Sequence, residues 1–425
     1  MRILHKTATV TLIIMLCCIS YLYSQESSKK FITVSGYIKD ARTGKPLPYS
    51  TVFLLKTTIS NISNAEGYFT LKIPIEFTND SLRASFIGYS GNNIAVQELL
   101  NAKKPIIKLF ASTLNLKPTY VRPEDAATIF RMAYNRIKQN YREKPVGMTG
   151  FYRETIKRGN QYMILNEAIL DIFKASYTSS LQRDQIAIYK GRGNQNYKMT
   201  DTLMMKLQGG PISSLYIDIV KNPFAGADLV MAQECYSFTL ESPIYKDGRT
   251  ILVLSFNQKP DITDILYRGK LYIDNESLAI IRAEFSMNVE NKPFAWKEFV
   301  MHKPDNVKVG VEYATYVVNF KDYSGKWYFD YSRLELKFNI KYSNKWLKNR
   351  YTVVTELAAT NINENTSKIE PKRRLKWRDI MSSKVNDFTD REFWEGYNII
   401  EPDESIENII SKIIKQLKKR AEQQM

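Results

Sequence analysis

From Gly147 to about Thr360 the chain repeats one pattern, in which side chains alternate between apolar and polar, a short polar turn follows, and alternation resumes. "GMTGFYRETIKRGNQYMILNEAILDIFKA" reads as two strands turning at Gly159–Asn160. "TILVLSFN", "ILYRGKLYID" and "LAIIRAEFSMN" follow, the last two joined through "DNES". "VGVEYATYVVNF" and "KWYFDYSRLELKFNIKY" turn at "KDYSG", and "RYTVVTELAAT" closes the series. A period of two puts successive side chains on opposite faces of a strand and cannot form the stripe that an amphipathic helix needs. Short turns between such strands make neighbours antiparallel. This part of the chain is therefore constrained to a large antiparallel sheet, and 27 Tyr and 20 Phe suit one.

One helix precedes the strands. Ala126, Ile129, Phe130, Ala133, Tyr134, Ile137 and Tyr141 recur at helical steps, with Glu124 and Asp125 at the start and Arg136 and Lys138 towards the end, predicting a core-facing helix over Glu124–Tyr141. A helix followed by a long antiparallel series is an α+β arrangement, with one curved sheet and a helix packed on it. Thr200 to Cys235 is less regular, with a short helix inside "LQGGPISSLYIDIVKNPF".

Residues 31–112 form a separate block of shorter strands cut by Gly44, Pro46, Pro48 and Gly67. That spacing predicts a small antiparallel sandwich. "VSGYIKDARTGKPLPYSTVFLLKTT", "SNAEGYFTLKIP" and "SLRASFIGY" carry the pattern G-x-I-x-D-x-x-T-G-x-P-L-x-x-S-x-V at Gly36, Ile38, Asp40, Thr43, Gly44, Pro46, Leu47, Ser50 and Val52, then N-x-x-G-x-F at Asn64, Gly67 and Phe69. On these residues the block resembles the carboxypeptidase regulatory-like domain. The resemblance implies a seven-stranded, transthyretin-like (Ig-like) sandwich and a Bacteroidetes-type exported protein, in which the module precedes others. In the second domain, Gly269, Leu271, Ile273, Asp274 and Ser277 resemble the hairpin motif of the outer-membrane lipoprotein-carrier family. That likeness implies a half-barrel with a concave apolar surface for an acyl chain.

Arg2 and Lys6 precede an apolar run from Val10 to Ile19 and a polar, small-residue stretch to Ser24, the layout of a signal peptide over residues 1–24. The run is shorter than the ~20 residues of a membrane span. Leu16 and Cys17, which precede the two leader cysteines, are not the small residue that a lipid-modified cysteine follows. Cleavage would take Cys17 and Cys18, leave Cys235 alone without an intramolecular disulfide, and leave the chain strongly basic from its net +17. After the linker and helix of residues 113–145 and the β-rich domain of 146–361, residues 362–425 form a basic tail. There Ile409, Ile413 and Leu417 lie on one helical face and Lys412, Lys415 and Lys418 on the other, predicting an amphipathic helix that contacts a membrane or partner, or docks on the protein's own sheet.

Zinc peptidases need two histidines and a carboxylate, and this chain has His5, in the leader, and His302. The same shortage removes a Ser-His-Asp triad, and no G-x-S-x-G elbow occurs. Cys235 has no local Cys or His partner, and the glycines in "KGRGNQN" and "LQGGP" lack the lysine and hydroxyl of a phosphate loop. Asp261 and Asp264 are the nearest carboxylate pair, in a loop. The expectation is therefore a non-enzymatic exported envelope protein, periplasmic or outer-membrane associated, without cofactor or metal. Its sandwich would act as interaction or spacer module and its β-rich domain as binding scaffold. Partners would be an anionic envelope surface, an acyl lipid or another envelope protein, and not nucleic acid. Alternatives are a periplasmic lipid or lipoprotein carrier and an accessory of a TonB-dependent transporter. The residues beyond 112 are too few for a plug plus a barrel of about 22 strands at roughly ten residues each.

Overall fold

Every second residue of β1 (Phe31–Asp40) faces inward from Val34 onward, and Val34 and Ile38 are fully buried, as the alternation requires. In the computed structural model, which describes residues 31–112, 125–193, 210–226, 229–290, 292–300, 305–343, 348–385 and 393–403, β1 belongs to the first of three sheets. That sheet adds β4 (Tyr68–Pro74), β6 (Tyr89–Ser90) and β8 (Ile106–Ala111) in the order β4-β1-β8-β6. The facing sheet runs β3-β2-β5-β7, from β2 (Thr51–Leu54), β3 (Ser60–Ile62), β5 (Ser81–Ser85) and β7 (Asn92–Ala95). Val52, Leu54, Phe69, Leu71 and Ile107 fill the space between. The block is a sandwich of eight strands where the resemblance implied seven. A turn at Gly88, with φ +78°, carries the chain out of β5's sheet and lets Tyr89–Ser90 pair with β8 before β7 returns. A short helix, α1 (Val96–Asn101), buries Val96 and Leu99 against the core.

The motif residues have scaffold duties. Asp40 Oδ1 accepts from the backbone of Arg42 (2.9 Å) and Thr43 (2.7 Å), and its other oxygen accepts from Tyr89 Oη at 2.7 Å. Those bonds, the Tyr89 one foremost, hold its carboxyl at about 2. Asp40 therefore contributes stability above the ordinary carboxylate range near pH 3.8, and the contribution disappears as pH falls through about 2. An NMR titration of the Asp40 carboxyl should show a midpoint near 2, and Tyr89→Phe should move it upward. An unchanged midpoint in that variant would remove the phenol as the cause. Gly67, at φ +70°, could not become alanine, because a Cβ would stand 2.5 Å from the Ile38 carbonyl.

The third sheet has eleven strands, all antiparallel. They are β9 (Val146–Arg158), β10 (Gln161–Lys174), β11 (Gln185–Gly193), β12 (Tyr236–Leu240), β13 (Ile244–Lys246), β14 (Arg249–Gln258), β15 (Tyr267–Asp274), β16 (Ile280–Met287), β17 (Val307–Tyr323), β18 (Lys326–Tyr342) and β19 (Asn349–Asn363). The hairpins fall where the turns predicted them: Gly159 lies at φ +58°, and Ser324 and Gly325 both have positive φ in a two-residue turn. The order is β11-β10-β9-β19-β18-β17-β16-β15-β14-β12, with β13 also on β14. After β11 the chain crosses to the far edge, meanders back, and inserts β19 beside β9.

One face of this sheet is covered by helices. The predicted helix forms as α2 (Ala126–Asn135), capped by Asp125, whose carboxylate accepts from Thr128 N at 3.0 Å. It breaks at Arg136 and resumes as α3 (Ile137–Asn140). Phe130 stacks on Phe238 with centroids 4.5 Å apart, and α4 (Gly210–Tyr216) contributes buried Leu215 to the same core. Cys235 ends α5 (Leu229–Cys235), partly buried against this core as a free thiol. The apolar positions that an acyl chain would need on this face are filled by Phe130, Tyr134, Leu215, Ile219 and Phe224.

The opposite face, at β9, β10, β18 and β19, is covered by the sandwich and by Phe393–Asp403. The tail residues are wedged between the two domains: Asn61 Nδ2 donates to the Ile399 carbonyl (2.6 Å), and Arg153 donates to the Ile400 carbonyl (2.6 Å). On the edge of β4, Asn398 mimics a strand backbone, accepting from Lys72 N at 2.7 Å and donating to Lys72 O at 3.3 Å.

Candidate functional site: the cleft between the domains

The carboxylate pair singled out in the sequence, Asp261 and Asp264, sits exposed in the β14–β15 loop, away from the lining of the cleft between the domains. His302 and the tail residues Ile409, Ile413, Leu417, Lys412, Lys415 and Lys418 lie outside the described residues. Asp274, read as part of a hairpin motif, is a turn former. Its Oδ1 accepts from Glu276 N, Ser277 N and Ser277 Oγ at 2.8–3.1 Å. Gly269 of the same motif lies under a neighbouring strand, where a Cβ would stand 2.2 Å from the Glu284 carbonyl. Among the described residues no group of three His, Cys, Asp or Glu side chains could hold a metal ion.

A concavity of about 740 Å³ lies elsewhere, between the sandwich and the large sheet. One wall is β2, the bend after it and Arg83 of β5; the other is the β13–β14 hairpin, the ends of β15 and β16, and the β17–β18 hairpin. Fixed hydrogen bonds set the distance between the walls. Arg83 reaches Asp247 at 2.7 Å, and Gly91 N donates to the same carboxylate oxygen at 2.6 Å. Deeper in, Thr51 Oγ1 donates to Asp330 at 2.8 Å, and Lys321 pairs with the other oxygen of Asp330 at 3.4 Å. Lys321 also donates to Ser60 Oγ and to the Ala359 carbonyl. Asp247 can do this because it occupies the first position of a two-residue turn with Gly248, both at positive φ. The Asp-Gly dipeptide between alternating residues was a legible hairpin signal. Its role in docking was not, because the partner Arg83 is 164 residues away.

Five basic side chains line the cleft (Lys56, Arg83, Lys246, Arg249 and Lys321) against three acids (Asp247, Asp274 and Asp322). The acids are already engaged, Asp247 by Arg83, Asp274 by its turn, and Asp322 by Gly325 N at 2.9 Å. Arg83 and Lys321 are engaged with them and with Asp330. The remaining cations have weaker ties: Lys246 is 3.9 Å from Asp247 and Arg249 is 3.6 Å from Asp274. Lys56, exposed at φ +60°, has no ion pair among the described residues. Burial pushes the Lys246 ammonium below its ordinary range, and Arg83 and Arg249 nearby push the same way against Asp247. Beneath the charges the floor is apolar, made by Phe53, Ile251, Ile281, Phe320 and Trp327.

A second charged array lies under the sandwich and tail. Glu167, fully buried, binds Arg153 at 2.6 Å and Arg192 at 3.0 Å. Arg153 lies 3.9 Å from Glu356, which in turn is 3.3 Å from Arg333. Tyr49 of the sandwich stacks on Tyr331 with centroids 6.1 Å apart, Arg333 lies over its ring, and burial raises its phenol to about 12. Burial alone would lower the Arg153 pKa, but Glu167 and Glu356 hold it above its ordinary value. Each charge has a partner, so this array joins domains and leaves no open valence for a ligand.

Comparison with known proteins bears on the two domains differently. No curated protein sequence matches the chain. Solved structures with some likeness include a DUF1329 family protein from Desulfovibrio piger (12% identity, 58% of this chain and 96% of that one, TM-score 0.27). A LolA superfamily protein from Nitrosomonas europaea gives 12% identity over 60% and 98%, with TM-score 0.21. A chain of the Pseudomonas aeruginosa MucA/MucB complex gives 11% over 57% and 99%, with TM-score 0.18. Residues 34–121 match the CarboxypepD_reg-like domain family; the match spans the sandwich whose turns are set by Asp40, Gly44 and Gly67, which is joined here to an eleven-stranded antiparallel sheet.

Proposed function

We propose that this is an exported, non-enzymatic envelope protein that holds its ligand between the sandwich and the β-rich scaffold. The observation that carries the reading is the cleft itself. It has walls from two domains, a volume of about 740 Å³ and a surplus of basic over acidic lining residues. Binding sites for small molecules run from roughly 300 to 1,000 Å³ and favour domain interfaces. The leader layout of residues 1–24 supports export, and the single histidine beyond it supports binding over hydrolysis. No helix among the described residues is long and apolar enough to cross a membrane. The sandwich is on this reading half of the site, and its interaction role is exercised within the chain.

Hydrogen exchange on the full chain, with and without envelope lipid and glycan fractions, tests this. Protection should rise together at Thr51–Thr58, Lys246–Arg249 and Tyr323–Trp327, and the bound compound should be recovered unchanged. Protection confined to one domain, or a chemically altered compound, would overturn it.

A further inference from the structure

The charges and floor of the cleft also specify a ligand class. Building on the reading that the ligand lies in this cleft, we infer that the site takes a phosphomonoester whose carbon body rests on the aromatic floor. Lys56 comes from the bend after β2 on one wall, Lys246 and Arg249 face each other across the turn of the β13–β14 hairpin on the other, and these three are the lining cations least engaged by protein carboxylates. A carboxylate is planar and is satisfied by one guanidinium in a fork, whereas a phosphate monoester offers three oxygens in three directions. Donors spread around a rim suit the second shape. Lys321 is already matched by Asp330 behind the lining and Arg83 by Asp247, so the charge left for a ligand is that of Lys56, Lys246 and Arg249.

Lys246 adds a reason for doubly negative charge. Its ammonium is poorly solvated and stands near Arg83 and Arg249, so an arriving dianion supplies the compensation that Asp247, shared with Arg83, does not. Beneath it, Phe53, Phe320 and Trp327 offer ring surface, and Ile251 and Ile281 offer aliphatic surface. Inorganic phosphate would use the rim and leave this floor wet, whereas an ester covers both. The ester could be a phosphorylated sugar or a phosphatidic acid-type headgroup, since the two share this chemistry.

Isothermal titration of the full chain with inorganic phosphate, glucose 1-phosphate, dihexanoyl phosphatidic acid, and neutral glucose and dihexanoylglycerol separates these. Either ester should bind more tightly than inorganic phosphate and than its neutral counterpart, and the tighter ester identifies the source. Lys56→Gln, at an exposed position, should weaken the ester roughly tenfold, and Lys246→Gln with Arg249→Gln roughly a hundredfold, without a change in thermal melting. Neutral compounds binding as tightly as the esters, or full affinity retained in all three substitutions, overturns the inference. If an envelope fraction protects both walls from exchange while no ester binds, the ligand class falls and the cleft reading stands. If an ester binds but protects neither wall, both fall.

Discussion

Glu167→Gln should lower the unfolding free energy by about 3–5 kcal/mol when followed by urea denaturation. Glu167 is completely buried and is the carboxylate shared by Arg153 and Arg192. Without its charge, Arg153 keeps the Ile400 carbonyl, the Phe151 ring and Glu356 at 3.9 Å, and two guanidinium groups remain away from water. Removing one partner of a buried pair costs far more than the pair's net worth, because desolvation has already been incurred. Arg268→Gln supplies the control. Its pair with Glu290 is as short, at 2.5 Å, but the side chains are 45% and 65% exposed and screened by water, so the loss should be small beside that of Glu167→Gln. Equal losses in the two variants would mean that water reaches Glu167, and the account of a sealed domain junction would fail.

A comparable loss, about 3–5 kcal/mol, is expected for Lys174→Met. Lys174 lies at the end of β10 with its ammonium 2.6 Å from Asp184 and 2.8 Å from Asp218, and Asp218 also accepts from Tyr177 Oη at 3.0 Å. This knot ties the edge of the sheet to the segment that crosses to β12. Substituting all three charges, Lys174→Met with Asp184→Asn and Asp218→Asn, should recover much of the loss, since no unpaired charge is left behind. Burial alone would lower the Lys174 pKa, but Asp184 and Asp218 raise it above 10.5. A raised folded-state pKa contributes stability that is complete below 10.5 and declines as pH climbs through the higher folded value. The difference between wild type and variant should therefore be flat across neutral pH and shrink only in strongly alkaline solution. A difference that vanished by pH 8 would contradict the geometry.

The hairpins were legible in the sequence because turn chemistry is local: Gly159, Ser324–Gly325 and the Asp274–Ser277 turn need only their own neighbours. The helix was legible for the same reason, though Asp125, read as a dipole-suiting charge within its first turn, proves to be its cap, and its interruption at Arg136 was not legible. Strand order could not be read, since nothing within Asn349–Asn363 announces that it will lie beside β9. The buried charges were hidden for a related reason. Arg153, Glu167 and Glu356 occupy the polar positions of alternating strands, which read as a solvated face until another domain covers them. The cleft as a site was illegible, because its walls are far apart in the chain and its charged rim reads as ordinary surface.

Sheet order sets a timetable. The sandwich can close on contacts within residues 31–112, but β9 waits for β19 and the Arg153–Glu167 array waits for Phe393–Asp403. At about 5–20 residues per second, the roughly 200 residues between β9 and β19 represent some 10–40 seconds of synthesis with a long strand edge unpaired. Such an edge is an aggregation hazard, and charged side chains on its faces are a known deterrent. Arginines and glutamates that are expensive to bury at the end are well hydrated during that interval. The side chains that lock the finished molecule are thus also the charges that an unfinished sheet would present to water.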